Sequence, residues 1–332
     1  MRDLARAKRA PSTPPQIPMS EPPHHAAVPL TPDEQNLRKR MNASEFIFDV
    51  EVAYGDLTHL SKVGGRPSLV QYIREIWERR HFIRREARKK VATGHARDRL
   101  GLGWLVIRPL LDAIFYVLIF GLVLQAGRGI DNYVAFVVIG VFMFQLTSAA
   151  ITGGTTALRT SRAMVRAFSF PRASILVAMQ LRATLERIPA MIVMLLIIVA
   201  WPPHEWPSFT WLLVPVVFLI QTIMNFGVYL IFARLGANLP DFANAVSFVV
   251  RILMYTSAVI FPATRFDRFP IAMAIIETNP VYIILDMYRS LLMYNTIPGV
   301  QSWLIAAAWA VCLMVLGFVW FWKGEESYAR EQ

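Results

Sequence analysis

Six apolar runs, each close to the roughly 20 residues that a helix needs to cross about 30 Å of hydrocarbon, dominate the sequence beyond residue 100. Backbone N–H and C=O groups find no partners in lipid, so runs of this length fold as membrane-spanning helices. The expected spans are 102–126, 133–157, 173–201, 209–235, 245–261 and 303–322. Composition agrees, with 55% hydrophobic and only 17% charged residues, where soluble domains average about 25% charged. The expected fold class is all-α integral membrane. It comprises six transmembrane helices within 101–323, an N-terminal amphipathic interfacial helix, and re-entrant helices between the fifth and sixth spans.

The re-entrant expectation covers residues 263–300. Two shorter apolar stretches there, Ile271–Ile276 and Val281–Met293, are fenced by Pro270, Pro280 and Pro298 and carry Asp286 and Arg289. Runs of about 10–14 residues fit re-entrant or interfacial helices better than spans. Loop charge agrees with an even number of crossings. The short loop 159–172 holds Arg159, Arg162, Arg166 and Arg172 with no acid, while Pro202–Ser208 has no Lys or Arg. That asymmetry puts the first loop in the cytosol, together with both termini, including the tail 324–332.

Residues 1–100 hold 19 Lys and Arg against 12 Asp and Glu, a net +7 of the chain's +11. Residues 1–40, with eight prolines and almost no apolar periodicity, are expected to be a disordered cytosolic tail, and 41–67 a cytosolic linker. No apolar leader segment follows the basic start, so this region is expected to stay in the cytosol. Over 68–100, Val70, Ile73, Ile76, Trp77, Phe82 and Ile83 recur at helical spacing among many cations. An amphipathic helix of this kind belongs at the headgroup level of membrane lipids, with Trp77, Arg84, Arg85 and Arg88 at the interface. The alternative is a solvated helix packed on soluble protein. A membrane surface explains the positive charge with fewer assumptions than nucleic acid does, so no nucleic-acid partner is expected.

Charges within the spans need partners or a route to water. The clean run Ile188–Trp201 is 14 residues, about 21 Å long, so the third span must extend back through Arg182, Glu186 and Arg187. Arg182 then snorkels to the cytosolic interface, and Glu186 pairs with it one turn away. Arg108 and Asp112 stand at the same spacing in the first span, while Arg251 in the fifth has no acid within one turn. Two readings stand for these groups. They face an interior polar pathway, or they are interfacial and intrahelical pairs without contact to any substrate.

Some chemistry is missing. No G-x-x-x-x-G-K-[ST] occurs, so no phosphate-cradling loop of that type is present. The lone cysteine, Cys312, excludes an internal disulfide framework and multi-cysteine metal sites. All six histidines, His24, His25, His59, His81, His95 and His204, lie outside the expected spans. No catalytic residue, metal or cofactor is therefore assigned to this chain.

Four segments resemble the permease subunits of type-2 ABC exporters of polysaccharides. They are Arg99-Leu100-Gly101-Leu102-Gly103-Trp104 leading to Arg108-Pro109-Leu110-Leu111, the loop from Ala157 to Phe170-Pro171-Arg172, Asn279-Pro280 followed by Tyr288-Arg289-Ser290-Leu291-Leu292, and the tail Phe321-Trp322-Lys323-Gly324-Glu325. They occur in the family's order across roughly residues 68–330. Two departures are the Ser257-Ala258-Val259-Ile260 stretch before Pro262 and an N-terminal extension of about 65 residues.

The resemblance implies a homodimer of six-helix subunits with two copies of a separate ABC ATPase, which would bind the ATP and Mg. It also implies a lipid-linked polysaccharide substrate, such as O-antigen, teichoic acid, capsule or galactan, moved through a channel between the subunits. Coupling to the ATPase is expected at Arg159, Arg162, Arg166, Phe170, Pro171 and Arg172. Channel-lining candidates are Phe115, Tyr116, Phe120, Arg251 and Tyr255, since sugar rings stack on aromatic faces; lipid-facing or core packing is the competing reading. Asn279, Pro280, Asp286 and Arg289 are expected at an outer gate, with the two charges on its polar face. Competing functions are a small-solute or drug permease of the same fold, an enzyme acting on polyprenyl carriers, and a secondary carrier, which would show an internal inverted repeat.

Overall fold

The computed structural model describes residues 67–93, 101–123, 130–161, 164, 171–202, 206–239 and 241–325, and every described element is helical. The expected tail 1–40, the linker 41–67 apart from Pro67, the loop residues Arg162, Arg166 and Phe170, and residues 326–332 lie outside them. Two short helices come first, α1 (Leu69–Glu78) and α2 (Arg80–Thr93). Then follow α3 (Trp104–Tyr116), continued by a π-helical stretch Val117–Val123, α4 (Tyr133–Thr160), α5 (Arg172–Ala200) and α6 (Val214–Asn238). The chain ends in α7 (Phe242–Thr256), α8 (Pro270–Thr278), α9 (Pro280–Leu292) and α10 (Val300–Lys323).

Among the described residues, α4, α5, Phe209–Asn238 and α10 are long and apolar enough to cross a membrane. The pair α8 and α9, bent by 77°, brings the number to five if it is one span. Helix α7 has 15 residues, about 22 Å, where the sequence suggested a run to Phe261. It stops early because Ala258 turns to φ 49°, and its carbonyl and that of Val259 are held from α9 instead of by a continuing helix. Where one helix was expected over 68–100, the chain breaks at Arg79, with φ −87° and ψ 10°. Each half then buries its own residues, Tyr72 from α1 and Ile83 with Ala87 from α2, while Val70, Ile73 and Trp77 of α1 stay exposed. Ser68 starts α1 by accepting from the Gln71 N–H at 3.3 Å.

Helix α4 is the centre of the bundle. Of its most apolar window 78% is buried, against 17% for α5 and 22% for α10, so the latter two leave most of that surface for lipid or another subunit. Close approach is made by missing side chains. A Cβ on Gly227 of α6 would stand 2.3 Å from the Leu313 carbonyl of α10, and one on Gly317 would stand 2.3 Å from the Gly227 carbonyl, the small-residue contact common between helices in lipid. Gln221 of α6 ties the centre together: its amide donates to the Met143 carbonyl at 2.9 Å, and Tyr288 of α9 donates to its carbonyl oxygen at 3.1 Å. Asn279 caps α9 by accepting from the Val281 N–H at 2.9 Å, and Pro280 sits at the first helical position, where its missing N–H costs nothing. That cap is what turns the chain between α8 and α9.

Candidate functional site

Polar side chains gather at three levels of the bundle. The middle level joins α3, α4 and α5. Gln145, lone in an apolar stretch of α4, donates to Asp112 of α3 at 2.9 Å and accepts from Arg187 of α5 at 3.2 Å. The expected Arg182 and Glu186 contact is present at 2.6 Å. Arg108 and Asp112, which spacing would pair, make no ion pair among the described residues. Asp112 turns to Gln145 instead, since a neighbouring helix offers a donor where lipid offers none, while Arg108 is exposed and close enough for its charge to act on Arg187. Gln145 and Arg187 were not among the expected site residues; a single glutamine between Phe142-Met143-Phe144 and Leu146 was the available signal.

This network continues onto an open face formed by α3 and α7. Tyr116 donates to the Met254 sulfur at 3.5 Å, joining the two helices, and stands within electrostatic reach of Asp112, Arg251 and Tyr255. Phe115 and Phe120 flank it, with ring centroids at 5.7 and 6.1 Å. Phe115 is 58% and Tyr255 43% exposed, and Arg251 is exposed with no ion pair among the described residues. Tyr116 thus stands between Phe115 and Phe120 on its own helix and Arg251 and Tyr255 on α7, and Leu111, Ile114, Phe248 and Ile252 are exposed on the two helices.

At the end bearing the α8–α9 bend, Asn279 donates to the Thr256 carbonyl at 3.2 Å and to the Ser257 hydroxyl at 2.9 Å. Arg289 departs from the expected polar face. It is 2% exposed, donates to the Ala258 and Val259 carbonyls at 2.9 Å each, and lies 3.5 Å from the Phe136 ring centroid. The unmade helical bonds of the α7 turn need a buried donor, and Arg289 supplies it in space left by Gly140, where a Cβ would come 2.9 Å from its Nη2. Asp286 is exposed. Asn279 and Arg289 thus pin the turn, while Asp286, like Glu277 just before the bend, stays accessible.

At the opposite end, Arg159 is exposed, Pro171 is buried, and Arg172 begins α5. The Arg172 N–H donates to Glu325 Oε1 at 3.0 Å, its guanidinium to the Glu325 carbonyl, and Tyr72 of α1 donates to Glu325 Oε2 at 2.7 Å. Burial pushes the Glu325 carboxyl above the usual carboxylate range, and the bonds from Arg172 and Tyr72 pull against it. Sequence spacing gave no hint of this cluster, in which Glu325 bonds partners 153 and 253 residues away. On the outside of α1 and α2, Trp77 is 69% exposed with the Arg80 guanidinium 5.5 Å from its ring, and Arg84, Arg85 and Arg88 are exposed.

Residues 89–293 match the profile of the family described as ABC-2 type transporter. The chain is similar to the O-antigen export system permease protein RfbA of Myxococcus xanthus, 21% identical over 79% of this chain and 99% of that protein. It is similar to the protein of the same name from Klebsiella pneumoniae, 28% identical over 60% of this chain and 74% of that protein. The polysialic acid transport protein KpsM of Escherichia coli is 19% identical over 72% of this chain and 92% of its own length.

Proposed function

The chain belongs to the ABC-2 type transporter membrane family, and from that premise we propose that it is the permease subunit of an ATP-driven exporter of a lipid-linked cell-envelope polysaccharide. The observation that carries the reading is the open face of α3 and α7. Two copies opposing these faces enclose Phe115, Tyr116, Phe120 and Tyr255 with Arg251, a lining that stacks on sugar rings and hydrogen-bonds their hydroxyls while remaining greasy enough to sit in a bilayer. The relatives named for O-antigen export and polysialic acid transport align over nearly their full length or most of it, which supports a glycan cargo. A small lipophilic solute would not need an exposed guanidinium among the rings.

In this reading the subunit crosses the plasma membrane six times. Residues 104–123 supply the first crossing, α7 with its following turn the fifth, and the bent pair α8 and α9 is a re-entrant outer hairpin with Asp286 at its accessible surface. Both termini are cytosolic, α1 and α2 lie against anionic headgroups through Arg84, Arg85 and Arg88, and the loop 159–172 receives two copies of an ATPase that holds ATP and Mg. Hydrolysis there drives rigid-body motion of the spans. Deleting the chain should leave lipid-linked polymer inside the cell and abolish it at the surface, and restoring it with Phe115→Ala and Tyr255→Ala should return the protein but little polymer. Unchanged surface polymer on deletion would reject the glycan reading in favour of the small-solute one.

A further inference from the structure

The joint of Tyr72, Arg172 and Glu325 has a role that the channel does not use. Helix α5 starts at Pro171, which offers no side-chain cap. Two N–H groups of its first turn are satisfied from elsewhere, Arg172 by Glu325 Oε1 at 3.0 Å and Ala173 by the Tyr72 hydroxyl oxygen at 3.2 Å. Tyr72 in turn donates to Glu325 Oε2 at 2.7 Å, and Trp322 donates to the Pro67 carbonyl at 3.1 Å, a second tie between the chain's end and the approach to α1. A carboxylate at a helix N-terminus also meets the positive end of the helix dipole. Tyr72, Ala173 and Phe321 are 0% exposed around the joint, with the Phe318 ring 5.9 Å from that of Tyr72. Side chains packed this closely transmit displacement instead of absorbing it.

We propose that Glu325 is a positioning residue for transport: its carboxylate caps α5 in trans and locks α1, the start of α5 and the end of α10 into one rigid body, so that a push on the loop 159–171 moves all three together. The inference rests on the export reading, since it takes that loop as the place where the motor acts. Without the lock, force arriving at the loop shifts the start of α5 alone. The amphipathic pair and the last span then stay behind while ATP is still hydrolysed.

The test uses the full permease co-expressed with its motor ATPase. Tyr72→Phe, Glu325→Ala and the double variant are compared for assembled complex, ATP hydrolysis and surface polymer. Glu325→Ala should keep assembly and hydrolysis within about twofold of wild type and lower polymer per ATP about tenfold, the scale of one lost hydrogen bond to a charged group. The double variant should be no worse than Glu325→Ala alone, because both break one joint. In a Cys312→Ser background, Tyr72→Cys with Glu325→Cys should lose export and regain it when a short thiol cross-linker bridges the pair. This arm also decides the matter if Glu325→Ala fails to accumulate. Polymer per ATP unchanged in Glu325→Ala, or a bridged transporter that assembles and stays inactive, overturns the proposal. Failure of the export reading itself would appear in the wild type, as surface polymer independent of this chain or a permease that never co-purifies with a motor.

Discussion

Replacing Gly227 with alanine adds one methyl group where two helices meet backbone to backbone. The new Cβ would stand 2.3 Å from the C and O of Leu313 and 2.5 Å from the N of Met314. None of these atoms belongs to a side chain that can swing away. Reaching even 3.0 Å from the nearest atom takes a shift of 0.7 Å between α6 and α10, which opens the seam that Gly317 closes from the other side. Overpacking of this kind costs about 1–3 kcal/mol. Because alanine is a better helix former than glycine by up to about 1 kcal/mol, the net effect depends on which side wins, and the backbone clash should. A loss of about 2 kcal/mol lowers Tm by roughly 4–8 °C in a domain of this size. Thermal unfolding of detergent-solubilised protein measures it, with Gly153→Ala as the control, since a Cβ there meets only the Tyr229 ring at 3.5 Å. A Gly227→Ala protein that melts at or above wild type, as Gly153→Ala should, refutes the close-contact account.

Arg289→Met should lower the yield of folded protein by about 2–4 kcal/mol of stability, because two buried carbonyls lose their donor; fluorescence-detected size exclusion reads it, and wild-type yield would sink the pinning role. A double-mutant cycle of Gln145→Leu with Asp112→Asn should give a coupling of about 0.6 kcal/mol and at most ~1.7, the range for hydrogen bonds between helices in membranes; zero coupling would separate the two residues. Burial raises the Glu325 carboxyl in the folded state, so ionising it at the joint costs folding stability, a loss that sets in above the unfolded value and is complete once pH has risen through the folded one. Wild type should therefore lose Tm relative to Glu325→Gln as pH rises from the ordinary carboxylate range upward, and parallel curves would argue against a buried carboxyl.

Sequence period and length located the elements, because a helix in lipid must satisfy its own backbone and bury or expose a whole face at once. Asn279 and Pro280 were legible as a bend for the same local reason, cap and missing N–H. The aromatic candidates were legible as residue types, yet that Tyr116 of α3 reaches Met254 of α7, near Arg251 and Tyr255, depends on how the two helices are placed by the rest of the bundle. No spacing along either helix encodes that.

The sequence by itself determined that this chain is a bundle of apolar helices with a basic N-terminal approach, since hydrophobic run length and charge placement act locally. Only the tertiary structure decided which polar groups meet. Asp112 found Gln145 instead of Arg108, Arg289 went inward to the carbonyls of a broken helix, and Glu325 reached across 253 residues to Tyr72. A buried polar atom takes whatever partner the packing brings within 3 Å or so, and the packing is set by glycines and shapes on other helices.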